Sequence, residues 1–410
     1  MLVPVLFALL GHGFLWVALV NRSHGTAMPH SLCKPLTVAM FALAGGIPLG
    51  FAAGLATAGL NPLDGRDWLE LPWPVILYAL VCFGCGLAAF TAWVRRWVFF
   101  RPPAIQRFEH GRRLEMPPPT GSPGRHGPRQ SWLARLPGNE IGQLEVVERG
   151  LQLPRLPPAL DGLTVLLLAD LHFTGRVAKE YFQELVRACN ALGPDLVAIA
   201  GDLIDDDAYI AWVRDTVAGL VAPGGVYFVL GNHDSRHDAA RLRRALVDGG
   251  LVDLGGRWEE VEIRGQRIVL AGNELPWFSP AADFHGAPPP SSRGGPPRIL
   301  LAHSPDQLPW ARARQVDLLL AGHSHGGQIQ LPLVGPVFAP SRWGLRYVYG
   351  VYDVPPTVLC VTRGVSAKLP IRWHCPPEVV MLTLYTGLRT PRACVAGLQG
   401  GEPAALEATS

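Results

Sequence analysis

Five stretches of this 410-residue chain carry side chains able to do chemistry: Asp170-Leu171-His172, Gly201-Asp202, Gly231-Asn232-His233-Asp234, Ala302-His303 and Gly322-His323-Ser324-His325-Gly326-Gly327-Gln328. They combine carboxylates, an amide and imidazoles. Hard-to-borderline divalent cations take that mixture of oxygen and nitrogen donors, and a pair of such cations can clamp the attacking and leaving oxygens of an in-line displacement. Each stretch has a plainer reading when taken alone. Gly322 to Gln328 would serve as a tight turn, Asn232 as a helix cap, and Asp170 as a turn residue. For a purely structural account, all five would have to be coincidences at once.

The elements that must position these residues can be read from the runs before them. Residues 163–169, 196–200, 226–230, 299–302 and 318–321 are short and almost wholly apolar, and each ends at one of the motifs. Such runs read as strands buried on both faces. Helical patterns lie between them at 178–192, 209–220 and 236–247, with Asp205-Asp206-Asp207 read as the cap of the second. Alternating strands and helices bring polar residues from several strand ends to one sheet edge, where α/β folds usually do their chemistry.

In this order the motifs resemble those of the calcineurin-like metallophosphoesterase superfamily: D-x-H, G-D, G-N-H-[DE], H and G-H-x-H. Within it the chain resembles the small bacterial, membrane-associated branch whose last motif reads G-H-[ST]-H-G-G-Q and whose second reads G-D-L-[VI]-D. The likeness spans roughly 141–384. It implies a four-layer α-β-β-α sandwich with two metal ions at the sheet edge. Carried over by motif, Asp170, His172 and His325 would hold one ion, and Asn232, His303 and His323 the other. Asp202 would bridge them, a carboxylate offering two charged oxygens. A metal-bound hydroxide would then be the nucleophile. His233 is left as the catalytic non-ligand histidine, stabilising charge at the phosphoryl oxygen or protonating the leaving group, with Asp234 orienting its ring. The implied cofactor is two divalent ions, with Mn2+ expected first and Fe, Zn or Mg as alternatives.

Two details narrow the chemistry. Protein Ser/Thr phosphatases of the superfamily carry G-D-x-x-D-R-G and G-N-H-E, whereas this chain has Asp206 at the arginine position and Asp234 at the end of the third motif. That subclass is disfavoured. Residues 273–298 form a long Pro/Gly/Ser-rich loop holding Trp277, Phe278 and Phe284, aromatics that could meet an acyl chain or merely pack the loop.

The first hundred residues are of another kind. Three apolar stretches, at about 2–20, 35–60 and 74–97, the last uncharged from Val75 to Val94, are long enough to be transmembrane helices. The first has no basic residue before it and no convincing cleavage site, so it reads as an uncleaved anchor. The first loop carries Arg22 and Lys34 without acids, the second carries Asp64, Arg66, Asp67 and Glu70, and Arg95, Arg96 and Arg101 follow the third span. The positive-inside rule then places the remainder of the chain in the cytoplasm, at the inner membrane. Residues 101–140 read as a flexible basic linker rich in Pro and Gly, 141–386 as the catalytic domain, and 387–410 as a disordered tail. A formal net charge of +3 gives no reason to expect nucleic acid as a partner. Seven scattered cysteines without paired spacing argue against a disulfide framework.

The expectation is therefore a membrane-anchored, dinuclear-metal phosphoesterase that hydrolyses a phosphodiester or pyrophosphate bond. Its substrate is expected to be lipid-linked, such as UDP-2,3-diacylglucosamine, with the bilayer itself as the other partner. A generic phosphodiesterase or phosphatase of soluble substrates is the alternative. A non-catalytic membrane scaffold is disfavoured because every ligand position is filled. Oligomeric state is not legible from these residues.

Overall fold

The computed structural model describes residues 2–26, 28–64, 66–98, 102–117 and 131–387. Three helices come first: α1 (Leu2–His24), α2 (His30–Ala58) and α3 (Trp73–Val98), all long and apolar enough to cross a membrane. His12 ties them together, with Nδ1 2.7 Å from the Tyr78 hydroxyl of α3 and Nε2 2.8 Å from the Ala44 carbonyl of α2. Side-chain hydrogen bonds of this kind hold helices together where apolar packing alone gives little preference.

The rest of the chain builds two facing sheets. The first contains β1 (Gln106–Glu115), β2 (Gln143–Leu153), β3 (Leu163–Leu168), β4 (Leu196–Ala200), β5 (Val226–Val229) and β6 (Val252–Asp253). The second contains β7 (Trp258–Ile263), β8 (Gln266–Asn273), β9 (Arg298–Ala302) and β10 (Leu318–Ala321). A small hairpin, β11 (Gln330–Leu331) with β12 (Gly335–Pro336), follows β10. The chain then adds β13 (Gly350–Val354) and β14 (Thr357–Val361) to the second sheet and returns β15 (Glu378–Thr386) to the first. The strand orders are β1-β2-β15-β3-β4-β5-β6 and β13-β14-β10-β9-β8-β7.

Period-two alternation on β3 explains the layering. Val165 and Leu167 face a core shared with the second sheet, where they meet Leu270, Leu301 and Leu320. Leu166 and Leu168 face the other way, onto Tyr181, Phe182 and Leu185 of α4 (Lys179–Ala191). Beyond α4 lie the single turn α5 (Trp212–Asp215) and α6 (Ala239–Asp248), while α7 (Leu308–Ala313) covers the second sheet. The expected α-β-β-α sandwich is present. Strands β3, β4 and β5 run parallel, as do β8, β9, β10 and β14, so the motif-bearing ends of both sheets open at the same edge.

Two expectations need correcting. Residues 106–115 are not a linker but the edge strand β1, antiparallel to β2. Most of its side chains are exposed on both faces, so it lacks the alternation that reveals a strand. The 209–220 helix is a series of short turns broken at Thr216 (φ −132°, ψ −97°). Only Asp206 caps there, accepting from the Ala208 N–H at 2.9 Å. The tail expected at 387–410 lies, from residue 388 onward, outside the described residues.

Candidate metal centre

Each motif begins where a parallel strand ends, and the chain turns sharply there. Asp170, His172, Asp202, His323 and His325 all adopt left-handed backbone conformations, with φ between 47° and 70°. For residues other than glycine this costs on the order of 1–3 kcal/mol each, a strain typical of functional sites. It lets the backbone reverse while the side chain points back between the two sheets. The glycine beside the turn is set by crowding. A Cβ at Gly231 would stand 2.2 Å from Asp202 Oδ1, and one at Gly322 would stand 2.4 Å from the Ala169 Cβ.

Two groups of donors result. In the first, Asp170, His172 and His325 converge, with the two Nε2 atoms 3.1 Å apart and His325 Nε2 3.7 Å from Asp170 Oδ1. In the second, His303 Nε2 lies 3.0 Å from Asn232 Oδ1, 2.9 Å from His323 Nδ1 and 3.3 Å from Asp202 Oδ2. His303 Nδ1 is 2.8 Å from the Ala200 carbonyl, which can only accept, so Nδ1 carries the proton and Nε2 turns its lone pair inward. Nitrogen and oxygen atoms crowded this closely converge on points that a cation, or in its absence a proton, would occupy. The donor set therefore fits divalent metal ions.

Asp202 lies between the groups. Its Oδ1 accepts the backbone N–H of His233 at 2.8 Å, which leaves Oδ2 facing His303 Nε2 at 3.3 Å and His172 Nε2 at 3.7 Å. One oxygen, rather than two, faces both groups. Burial alone would raise this carboxyl, but the His303 and His233 imidazoles hold it well below the usual carboxylate range. His303 in turn is raised to about 9 by Asp202, against its own burial, so without a cation Nε2 takes a proton in the place a metal ion would fill. Burial keeps His323 and His325 well below the ordinary imidazole value, with His303 adding to the effect on the first and His172 and Arg372 on the second. Both rings are neutral at physiological pH and free to act as ligands. Asp170 is pushed up to about 6 by burial, as expected for a carboxylate placed where a positive charge is wanted.

The second carboxylate of the G-D-L-I-D stretch was missed as a site residue. Asp205 Oδ2 lies 2.7 Å from His172 Nδ1, and Oδ1 lies 2.5 Å from His233 Nδ1. It therefore orients both rings, the role expected of Asp234. Asp234 instead accepts four backbone N–H groups, from Asp202, Leu203, Ile204 and Gly231, at 2.9–3.0 Å. With its oxygens committed to the loop, it holds the Asp202 turn against the Asn232 turn and does not orient the His233 ring. His233 directs Nε2 toward the site, 4.0 Å from Asp202 Oδ2, and its side chain remains 16% exposed. Lys368, half-exposed, reaches Asp205 Oδ1 at 3.3 Å.

The 273–298 loop contributes a wall. Trp277 packs its ring 5.5 Å from His303 and 5.1 Å from His323. Phe278 lies beneath the Arg243 guanidinium, and Phe284 packs between Trp310 and Arg298. The buried Arg372 is another residue without a sequence signal. It donates to the His325 and Arg363 carbonyls at 2.9 and 2.8 Å and so fixes the last motif onto the returning chain.

Comparison with known proteins gives the same answer as the donor geometry. The sequence profile described as calcineurin-like phosphoesterase matches residues 163–327, which contain all five motifs except the final Gln328. Phosphodiesterase YaeI of Escherichia coli is 31% identical over 225 residues, covering 54% of this chain and 81% of that protein. The metallophosphoesterase YkuE of Bacillus subtilis is 30% identical over 254 residues, covering 60% and 87%. This chain belongs to the calcineurin-like metallophosphoesterase family. It is a metal-dependent phosphoester hydrolase. A Bos taurus transmembrane protein with a metallophosphoesterase domain is 31% identical over 257 residues, covering 56% of this phosphoesterase and 54% of that protein. The family uses divalent metals, and the two donor groups supply places for them.

Proposed function

We propose that this phosphoesterase hydrolyses a phosphodiester or pyrophosphate bond in a lipid-linked substrate at the cytoplasmic face of the inner membrane. UDP-2,3-diacylglucosamine represents the substrate class. The observation that carries the hydrolytic part is Asp202 Oδ2, which faces both donor groups from between them. Asp170, His172 and His325 would hold one ion, Asn232, His303 and His323 the other, and Asp202 would bridge them. When bound, two divalent ions polarise a phosphoryl oxygen and lower the pKa of water, with Mn2+ the expected metal for this O/N donor set.

The chain's own side chains do the rest. Asp205 fixes the His233 ring so that Nε2 meets the substrate, where it would stabilise charge on a phosphoryl oxygen or hand a proton to the leaving oxygen. Lys368 at the rim would attract a second phosphate, as a pyrophosphate requires. Trp277 closes the side of the His303–His323 pair against solvent. The lipid-linked part is supported by the three spans and by the loop charges, which under the positive-inside rule favour a cytoplasmic domain.

Two hydrolysis rates test this reading in detergent-purified full-length protein with Mn2+: one on UDP-2,3-diacylglucosamine in mixed micelles, the other on a soluble aryl phosphodiester. Asn232→Ala serves as the blank. A rate several orders of magnitude higher on the lipid is expected. Equal slow rates would remove the lipid-linked assignment and leave the hydrolase.

A further inference from the structure

Between the last metal motif and the returning chain lies an apolar hairpin that the hydrolytic chemistry does not use. Residues 329–341 contain no charged side chain. Ile329, Leu331, Leu333, Val334 and Phe338 are all exposed, Leu333 by 74%. Leu333 also sits at the tip with φ 63°, a left-handed conformation that glycine or asparagine would adopt at less cost. An exposed leucine in a strained turn gains nothing from water. Contiguous exposed apolar patches of this kind mark partner or membrane surfaces.

The spans identify the occupant. The Trp93 indole N–H of α3 donates to the Leu333 carbonyl at 2.5 Å. The Asn21 side chain of α1 donates to the Val337 carbonyl and accepts from the Ala339 N–H, both at 3.1 Å. The Phe41 ring of α2 meets the Phe338 ring at 5.9 Å. Trp93 lies five residues inside the end of α3 and Phe41 eleven residues inside the start of α2. At 1.5 Å per residue these are depths of about 7 and about 16 Å, so the hairpin lies alongside the spans rather than above them.

The hairpin is also made fit for lipid. Pro332 and Pro336 have no N–H to leave unpaired, and β11 pairs with β12. The two carbonyls at Leu333 and Val337 are satisfied by side chains of the spans themselves. Unpaired backbone groups are what hydrocarbon does not tolerate. Trp343 and the exposed Arg342 and Arg346 follow directly, with the Arg346 guanidinium 5.9 Å from the Trp343 ring centre. Aromatic and basic residues of this kind suit the headgroup level.

We propose that the 329–338 hairpin is inserted into the lipid of the bilayer interface beside α1, α2 and α3, as a fourth membrane contact that pins the metal centre to the membrane surface. Its insertion depends on neither metal nor turnover, so it stands or falls separately from the hydrolase reading.

The test uses full-length protein reconstituted in phosphatidylcholine–phosphatidylglycerol vesicles. Cysteine is introduced at Leu331 or at Val334 and labelled with an environment-sensitive fluorophore, and the signal of the unaltered chain is subtracted. Arg187→Cys, on the exposed face of α4, is the aqueous control. Blue-shifted emission at both hairpin positions, quenched at least twofold by lipids with a nitroxide near the headgroup, is expected, with no quenching at 187. Water-like emission at both hairpin positions would overturn the proposal. So would blue-shifted emission that nitroxide lipids leave unchanged, since that places the hairpin against protein rather than lipid.

Discussion

Asp205 Oδ2 lies 2.7 Å from His172 Nδ1, and this contact sets which nitrogen of His172 faces the metal centre. Because the same carboxylate also holds His233 Nδ1, one side chain governs both a residue that would hold a metal ion and the ring that would meet the substrate. Carboxylates placed behind ligating histidines are typically worth 10–100-fold in affinity or activity. Asp205→Asn should therefore lower kcat/KM on an aryl phosphodiester by about that factor while the protein keeps its fold. Full activity in that variant would mean that the two rings are oriented by their surroundings without Asp205.

Trp277 should matter through packing rather than chemistry. Its ring covers His303 and His323, and such aromatic contacts contribute about 0.5–1.5 kcal/mol. Trp277→Ala should weaken Mn2+ binding about threefold to tenfold in a chelator competition. An unchanged affinity would show that the wall does not hold the ligands in place.

Glu378 carries a pH prediction away from the metal centre. Its fully buried carboxylate meets Arg363, and it lies 3.5 Å from Arg149, whose side chain is only 2% exposed. Burial would raise this carboxyl, but Arg363 and then Arg149 hold it below the ordinary value of 4.5. A depressed value stabilises the fold above pH 4.5 and ceases to do so as pH falls through the folded-state value. Glu378→Gln should therefore cost on the order of 3 kcal/mol at pH 7, since breaking a buried pair leaves an arginine uncompensated. The gap to wild type should narrow below pH 4.5. A gap in thermal stability that stays constant from pH 7 to pH 4 would contradict the assignment.

How much of this was legible in the sequence follows from where each signal resides. The five metal motifs could be read because buried parallel strands are uniformly apolar and the polar residues at their ends stand out against them. The 178–192 helix could be read for a similar reason: Tyr181, Phe182, Leu185, Val186 and Cys189 line one face, and the structure gives Lys179–Ala191. β1 could not, because an edge strand with exposed side chains on both faces carries no period. Asp205 was within reach, standing inside the G-D-L-I-D stretch, but a run of three aspartates before a turn looks like a cap. Asp234 was misjudged because adjacency in sequence to His233 says nothing about where its carboxylate points once the loop closes. The hairpin's contacts with α1 and α3 join residues more than 200 positions apart, and only the fold brings those together.

Asp202→Asn tests the bridging role. Its neutral amide keeps the shape but removes the charge shared by both donor groups, so turnover should fall below detection while the thermal midpoint changes little. Retained turnover would remove Asp202 from the bridging position.

The most direct test of the whole account is metal content. Full-length protein purified without chelators and equilibrated with Mn2+ should hold about two equivalents by elemental analysis, and His303→Ala should hold about one. A wild-type value at or below one equivalent, or a His303→Ala variant that still holds two, would contradict a dinuclear centre built from these residues.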